Sequence, residues 1–225
     1  MHSDDRADDD RPGEDPCYQH LIVAGHAIDP DTARDVNRFR KAERARLYAL
    51  RNEGTVADRA QLSDNIAAEL DQALTDLADR TIAVYWPIRS EPDLRAWMTR
   101  AHEAGARILL PVVVTKNAPL IFRQWTPGCA MERGIWNIPV PADGAEAIPD
   151  TVISPLLGVD EAGYRLGNGG GYYDRTLAAL DKKPLVIGIG APNCRIKTIY
   201  PMPWDIPMSM TVLGDGKTQH FPASN

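Results

Sequence analysis

Residues 160–175 read DEAGYRLGNGGGYYDR, and this segment determines how the rest of the chain is interpreted. Four glycines fall within five positions of it: Gly167, Gly169, Gly170 and Gly171. Glycine at this density costs backbone entropy, so it indicates positive φ angles or the close approach of another group to the backbone. The segment follows a predicted strand and opens a predicted helix, where successive free N–H groups bind anions, and Arg165 adds a full positive charge. The sequence therefore predicts an anion-binding turn between a strand and a helix.

Strand and helix patterns alternate around this turn. Strands are predicted at residues 82–87, 106–113, 119–125, 150–154 and 185–189, and helices at residues 91–104 and 172–180. The proline-rich residues 138–149 are predicted to form a loop. This order predicts an α/β fold, an open, largely parallel, doubly wound sheet with helices on both faces. Such a sheet binds its ligand at the carboxyl ends of the strands, where the segments after Tyr85, Ser154 and Ile189 lie.

Three regions are predicted along the chain. Residues 1–16 carry seven acidic side chains and two arginines, a composition that predicts a disordered acidic tail. Residues 17–31 are interpreted as an N-terminal extension, and residues 32–225 as a single α/β domain. The domain opens with two predicted helices, an arginine-rich one at residues 31–51 and another at residues 55–78 that Thr55 caps. The second helix carries an apolar stripe: Leu62, Ile66, Leu70, Leu74 and Leu77.

Composition argues against several classes of protein. The net charge of −6 arises almost entirely in residues 1–16, so the remainder has no basic bias toward nucleic acid. No apolar run approaches the roughly 20 residues that cross a bilayer. The three cysteines, Cys17, Cys129 and Cys194, lack metal-site spacing and are expected to be free thiols, although a nucleophilic cysteine stays open. We predict a cytoplasmic monomer that binds a small molecule and neither nucleic acid nor membrane.

The glycine-rich segment matches neither common phosphate motif. No Gly-Lys-Ser/Thr follows, as a P-loop requires, and the pattern GxGGG differs from the dinucleotide pattern GxGxxG. It ends in Tyr172, Tyr173 and Asp174. Tyrosine rings bracket flat ligands, and a carboxylate beside bound phosphates can hold a bridging metal ion.

The string GYRLGNGGGYYDR (residues 163–175) closely resembles the signature of the 5-formyltetrahydrofolate cyclo-ligases, also called 5,10-methenyltetrahydrofolate synthetases. The resemblance extends over about residues 37–213 in matching order. It includes RKAER (40–44), VYWPIRSE (84–91), GARILLP (105–111), WNIPVP (136–141) and WDIP (204–207). It implies an enzyme that uses ATP and Mg²⁺ to convert 5-formyltetrahydrofolate to 5,10-methenyltetrahydrofolate. The γ-phosphoryl group would pass to the formyl oxygen, N10 would attack, and ADP and phosphate would be released.

The resemblance also implies roles for individual residues. The ATP site would comprise Arg40, Lys41, Arg44, Arg165, Leu166, Gly167, Asn168, Gly169, Gly170, Gly171, Tyr172 and Tyr173. Mg²⁺ would be held by Asp174 and Asp205. The folate would contact Trp86, Glu91, Trp136, Asn168 and Tyr172, with paired N–H groups of the pterin donating to Glu91. Arg165 and Tyr172 would be the catalytic residues, with Arg165 stabilising the transferred charge.

The residues alone allow simpler interpretations. Arg40 and Arg44 fit a solvated helix face, Glu91 fits a helix start, and Asp205 fits a turn. Trp136 fits core packing equally well. The chain also departs from the family pattern, which usually has lysine at Arg40, tyrosine or arginine at Asn168, and glutamine at Arg195. A diverged enzyme with another nucleotide-dependent substrate, or a non-catalytic folate or nucleotide binder, therefore remains an alternative.

Overall fold

The computed structural model describes residues 22–23 and 25–222. The predicted acidic tail, residues 1–16, lies outside these residues, as do Cys17 and residues 18–21 of the predicted extension. Ala24 lies outside them as well. The described residues of that extension include a small hairpin of β1 (Ile22–Val23) and β2 (His26–Ala27), which precedes the first helix.

Four α-helices occur in the part of the chain that the structure describes: α1 (Pro30–Glu53), α2 (Val56–Ala73), α3 (Arg95–Glu103) and α4 (Tyr172–Ala179). Asp29 caps α1 by accepting a hydrogen bond from the Thr32 N–H at 2.8 Å, so this helix starts before the predicted Asp31. Thr55 caps α2 as predicted, in a reciprocal capping box with Asp58. The prediction of a helix over 91–104 was wrong at its start, because residues 91–94 have no regular secondary structure and α3 begins at Arg95.

The other strands are β3 (Thr81–Ala83), β4 (Arg107–Val112), β5 (Ile121–Trp125), β6 (Met131–Arg133), β7 (Pro139–Pro141), β8 (Thr151–Pro155), β9 (Gly158–Val159), β10 (Arg165–Leu166), β11 (Leu185–Ile189), β12 (Met210–Val212) and β13 (Thr218–His220). Seven of them form one sheet in the order β13-β12-β11-β8-β3-β4-β5. The five inner strands are parallel, and the edge strands β5 and β13 are antiparallel to their neighbours. The predicted open, largely parallel sheet is therefore confirmed.

Helices cover both faces of this sheet, because successive side chains of a strand point to opposite faces. On one face, Ile108 and Leu110 of β4 pack with the apolar stripe of α2 and with Trp97 of α3. On the other face, Leu109 packs with Leu177 of α4. Helix α1 belongs to neither cluster and packs through Leu47 against the segments that follow β8.

Short elements account for the differences from the sequence prediction. The predicted proline-rich loop contains β7, which pairs with β6 in a hairpin. Strands β9, β10, β12 and β13 were not predicted, since two or three residues give too short a pattern to read. No helix that the structure describes combines the length and apolar character that a bilayer span requires.

Candidate functional site

The strand order reverses between β3 and β8, and this reversal locates the candidate site. From β3 the chain proceeds through α3 to β4 and β5 on one side, and it later adds β8, β11 and β12 on the other. The connections that leave β3 and β8 therefore diverge and open a crevice at the carboxyl ends of these neighbouring strands. Residues 84–91 line this crevice from β3, and the hairpin β9–β10 with its glycine-rich continuation lines it from β8.

The glycine loop, residues 167–171, continues from β10 and ends at the start of α4. Gly169 and Gly171 have φ angles of 94° and 62°, which L side chains rarely adopt. A Cβ at Gly171 would also lie 2.9 Å from Nη1 of Arg175. Leu166, buried against Leu47, fixes the base of the loop on α1. The backbone angles therefore favour glycine at both positions, and a side chain at Gly171 would also displace the end of the Arg175 side chain.

Backbone donors of the glycine loop are available for a ligand. No acceptor among the residues that the structure describes receives the N–H groups of residues 168–171. By contrast, the Gly167 carbonyl accepts from Arg44 Nε at 2.8 Å, and the Gly170 carbonyl accepts from Arg175 Nη2. Burial and the nearby charge of Arg40 lower the pKa of Arg44, as expected where cations gather without enough anions. The loop is thus built to receive negative charge.

Arg165 lies beneath the glycine loop and retains an unused donor. Its Nη2 forms an ion pair with Asp174 Oδ1 at 2.9 Å, and its guanidinium carbon lies 5.3 Å from the centroid of the Tyr173 ring. Its Nη1 is buried and has no hydrogen-bond partner among the residues described. An unsatisfied buried donor is costly, so this one indicates a missing acceptor such as a phosphate oxygen. The role predicted for Arg165 beside the loop stays a prediction, and this free donor supports it.

Glu91 provides a buried carboxylate on the opposite side of the crevice. Its side chain is 4% exposed and its Oε2 accepts from the Ile88 N–H at 3.1 Å. Burial raises its pKa to about 7, against the opposing effects of the Ile88 N–H, of the Arg51 and Arg89 charges and of the nearby Asn168 side chain. The Asn168 side chain, from the glycine loop, therefore lies near Glu91. Because the carboxylate is only partly compensated, it can accept further N–H donors.

Aromatic side chains line the same crevice. Trp136 lies on the connection between β6 and β7 with φ 59° and ψ 23°, is 58% exposed, and meets the Tyr172 ring edge-to-face at 5.3 Å. The backbone thus accepts a strained conformation while the indole stays largely outside the core. Trp86 is partly buried, with the Arg95 guanidinium 5.3 Å from its ring. Core packing, the simpler interpretation of Trp136, does not match its exposure.

The two candidate metal carboxylates differ in how many of their oxygens already accept hydrogen bonds from the protein. Asp174 Oδ1 accepts from the Ile206 N–H at 3.3 Å in addition to its ion pair, while no donor among the described residues reaches Oδ2. Asp205 pairs with Arg40, and its Oδ2 also accepts from the Met202 N–H at 2.6 Å. In the described part of the chain, no cluster of three or more His, Cys, Asp or Glu side chains has metal-binding geometry.

Comparison with known proteins shows which family this chain belongs to. The profile of the 5-formyltetrahydrofolate cyclo-ligase family matches residues 36–214. The chain belongs to this family. It is 36% identical over 141 residues to the 5-formyltetrahydrofolate cyclo-ligase of Mycolicibacterium smegmatis, covering 59% of this chain and 73% of that protein. Identity to the Escherichia coli K12 enzyme of the same name is 34% over 140 residues, which cover 59% and 76% of the two chains.

The fold also matches that of a solved structure. The NMR structure of the 5,10-methenyltetrahydrofolate synthetase from Aquifex aeolicus superimposes with a TM-score of 0.71, covering 83% of this chain and 94% of that one at 23% identity. The recognition of a cyclo-ligase family enzyme from the sequence is therefore confirmed, and so is its α/β architecture.

Positions that depart from the cyclo-ligase pattern have distinct surroundings. Arg40 is buried, and its donors reach the carbonyls of Ile199 and Tyr200 as well as Asp205. Lys41, the next residue and itself no departure from the pattern, is exposed on α1 and forms no ion pair with a described residue. Arg195 pairs with Asp215 at 2.9 Å and thus has a carboxylate partner of its own.

Two features of this cyclo-ligase family site were missed from the sequence. Tyr48 and Arg51 extend the Arg40–Arg44 face of α1 toward Glu91. The Tyr48 hydroxyl donates to Asn168 Oδ1, and Arg51 Nη1 lies 4.0 Å from Glu91 Oε1. Their i+4 and i+7 spacing from Arg44 places them on the same face of α1 and could have indicated them.

Arg175 is the second feature that the sequence did not indicate, because it follows the metal candidate Asp174 and its segment resembles an ordinary helix. Burial raises the pKa of the Cys194 thiol to about 12, which leaves a nucleophilic role for it without support.

Proposed function

We propose that this chain converts 5-formyltetrahydrofolate to 5,10-methenyltetrahydrofolate while ATP is hydrolysed to ADP and phosphate. One observation carries the proposal: free phosphate donors and a buried carboxylate face the same crevice. The donors are Arg165 Nη1 and the loop N–H groups, and the carboxylate is Glu91, which lies near Asn168 of the loop. The names of the relatives point to the same substrate and product.

The chemistry explains why ATP is needed. The N5-formyl group is an amide, whose carbon resists attack and whose oxygen is a poor leaving group. Transfer of the γ-phosphoryl group to that oxygen gives an iminium phosphate and ADP. N10 then attacks the formyl carbon and loses its proton, the ring closes, and the C–O bond breaks with phosphate as the leaving group.

Phosphate recognition falls to the glycine loop and two arginines. Arg44, half-buried on α1, and Arg165, buried beneath the loop, place two guanidinium groups beside the free N–H groups of residues 168–171. Guanidinium grips phosphate oxygens with paired hydrogen bonds and keeps its charge. Because phosphoryl transfer depends mainly on positioning and charge stabilisation, these fixed donors supply the main catalytic effect. Arg165 and Tyr172 are proposed to touch the reacting groups.

Mg²⁺ would neutralise charge on the transferred phosphates. Asp174 fits such an ion, since Oδ2 has no donor among the described residues and the carboxylate is 18% exposed. Asp205 fits less well, because both of its oxygens already accept hydrogen bonds from Arg40 or Met202. We therefore assign Asp174 as the metal carboxylate, with Asp205 as its neighbour through Ile206.

Folate recognition falls to Glu91 and the aromatic side chains. As a carboxylate, Glu91 accepts the paired N–H groups of a pterin, and these hydrogen bonds favour its ionised form. Trp136 and Tyr172 meet edge-to-face and provide flat surfaces for the ring system of the substrate. Asn168 and Trp86 complete the proposed contacts. Cytoplasmic location and a monomeric state stay predictions.

An absorbance assay tests the proposal. Purified protein with 5-formyltetrahydrofolate, ATP and Mg²⁺ should develop the absorbance of 5,10-methenyltetrahydrofolate over many turnovers. Folded protein that gives no signal would reject the activity. Calorimetry then separates the alternatives: binding of ATP without binding of the folate favours a diverged enzyme, whereas binding of both without turnover favours a non-catalytic binder.

A further inference from the structure

Arg175 holds two parts of the glycine loop region at once. Its Nη2 donates to the Gly170 carbonyl, and its guanidinium carbon lies 5.0 Å from the centroid of the Tyr172 ring. Its Nη1 occupies the space that a Cβ at Gly171 would need. Its Nε is buried without a hydrogen-bond partner among the described residues. This side chain is therefore fitted closely to the loop.

The bond to Gly170 fixes the direction of an N–H group. In a trans peptide the C=O and the following N–H point in opposite directions. When Arg175 draws the Gly170 carbonyl to one side, the Gly171 N–H is directed to the other. Arg44 acts in the same way on the Gly167 carbonyl and so directs the N–H of Asn168. Two arginines from different helices thus orient two of the free donors.

Through its contact with Tyr172, Arg175 also restricts the pair of rings formed by Tyr172 and Trp136. Tyr172 accepts a hydrogen bond from the Asn117 N–H at 3.1 Å, and its ring meets Trp136. A guanidinium over one face of the ring restricts its remaining freedom. Arg175 therefore influences both the phosphate side and the ring side of the crevice.

The location of Arg175 on α4 argues against an incidental surface residue. A cation in the first turn of a helix is repelled by the positive end of the helix dipole. The helix dipole thus disfavours a cation at this position, and the contacts with Gly170 and Tyr172 offset that cost.

We propose that Arg175 is a positioning residue that orients the Gly170–Gly171 peptide toward the nucleotide phosphates and holds the Tyr172 ring. This role rests on the proposed function, because it assumes that the glycine loop binds a triphosphate. Arg175 acts through the loop and the ring, and it is the second member of an arginine pair whose first member, Arg44, lies on α1.

The test compares Arg175→Gln and Arg175→Lys with the control Arg100→Gln, which removes an exposed, ion-paired arginine from α3. Calorimetry with a non-hydrolysable ATP analogue and Mg²⁺ measures nucleotide affinity, and kcat and KM are measured for both substrates. We expect Arg175→Gln to weaken nucleotide affinity about tenfold, as loss of a charged hydrogen bond does. KM for ATP should rise more than KM for the folate, and Arg175→Lys should recover part of the loss.

Fluorescence supplies a readout that a purely structural role would not move. Release of the Tyr172 ring should change the emission of Trp136, so the difference between wild type and Arg175→Gln should disappear in a Trp136→Phe background. Circular dichroism checks folding; if Arg175→Gln is unfolded, Arg175→Lys carries the same comparison.

Three results would overturn the proposal: native kinetics and affinity in a folded Arg175 variant, a lowered melting temperature with unchanged kinetics, or equal losses in Arg100→Gln. Wild-type protein that binds the analogue but forms no methenyl product refutes the proposed reaction alone, and the affinity comparison still decides the role of Arg175. Wild-type protein that binds no nucleotide refutes both.

Discussion

Arg40 and Asp205 lie 165 positions apart and form an ion pair with side-chain exposures of only 10% and 9%. Arg40 also donates to the Ile199 carbonyl at 2.9 Å and the Tyr200 carbonyl at 2.8 Å. The pair therefore ties α1 to residues 199–205. A nucleotide or metal ion that reaches either partner must compete with these bonds.

Removing one partner of this pair should destabilise the fold more than removing both. A single buried charge left without its partner costs about 3–5 kcal/mol, whereas loss of the whole pair costs much less. We expect Asp205→Asn and Arg40→Gln each to lower the free energy of unfolding by an amount in this range, and the double variant to lose less than their sum. Urea titration of all four proteins measures the coupling, and strict additivity would contradict it.

Glu91 should make stability depend on pH. Burial raises its pKa to about 7, above the unfolded value near 4.5, so between these values the folded state binds the extra proton. Its contribution is thus fully present below the lower value and is lost as the pH rises through about 7. Between pH 5 and 8 we expect a loss on the order of 2 kcal/mol in wild type that is absent in Glu91→Gln. Glu103→Gln, at an exposed position on α3, should retain the wild-type slope.

A matched pair of variants can test whether Gly171 has a role in nucleotide binding beyond its left-handed backbone conformation. Gly171 and Gly128 have φ angles of 62° and 78°, but nothing lies within 4 Å of a Cβ at Gly128. Each change to alanine should cost about 1 kcal/mol of stability through the backbone. Only Gly171→Ala should also weaken ATP binding, because the new methyl group displaces Arg175. Equal nucleotide affinity in the two variants would contradict the structure of the loop.

Asp174 should matter to turnover beyond its ion pair with Arg165. Asp174→Asn keeps the size of the side chain but removes the charge, so we expect the Mg²⁺ concentration for half-maximal rate to rise and kcat to fall about a hundredfold. Asp215→Asn breaks the ion pair with Arg195, which has the same 2.9 Å length. That control should leave the Mg²⁺ dependence unchanged. A similar response of both variants would remove Asp174 from the proposed metal site.

The glycine loop could be predicted because the residues that determine it lie close together in the sequence. Positive φ angles, a following helix and an adjacent cation all lie within residues 160–175, so the loop could be predicted from the sequence. The partners of Arg40 could not, since Ile199, Tyr200 and Asp205 approach it only after the sheet has formed. For the same reason the sequence did not distinguish Asp205, with both oxygens engaged, from Asp174.

The ring side of the crevice was predicted less completely. Glu91 was named from a motif, but its burial and raised pKa depend on the turn from Ile88 to Glu91, which ends where the predicted helix was to begin. Trp136 was ambiguous because exposure follows from the β6–β7 hairpin, and a strand made of Pro139–Pro141 gives little pattern to detect.

Helix α1 is 24 residues long, yet its buried residues are only Arg40 and Leu47. Most of its attachment is therefore made by arginine side chains reaching carbonyl and carboxylate oxygens on other segments. Charged hydrogen bonds therefore contribute much of the attachment of α1 to the rest of the domain. A triphosphate bound between Arg44 and the glycine loop would add further contacts of this kind. Occupancy of the crevice should accordingly slow amide hydrogen exchange along α1, so that the substrate itself completes the anchoring of the helix that receives it.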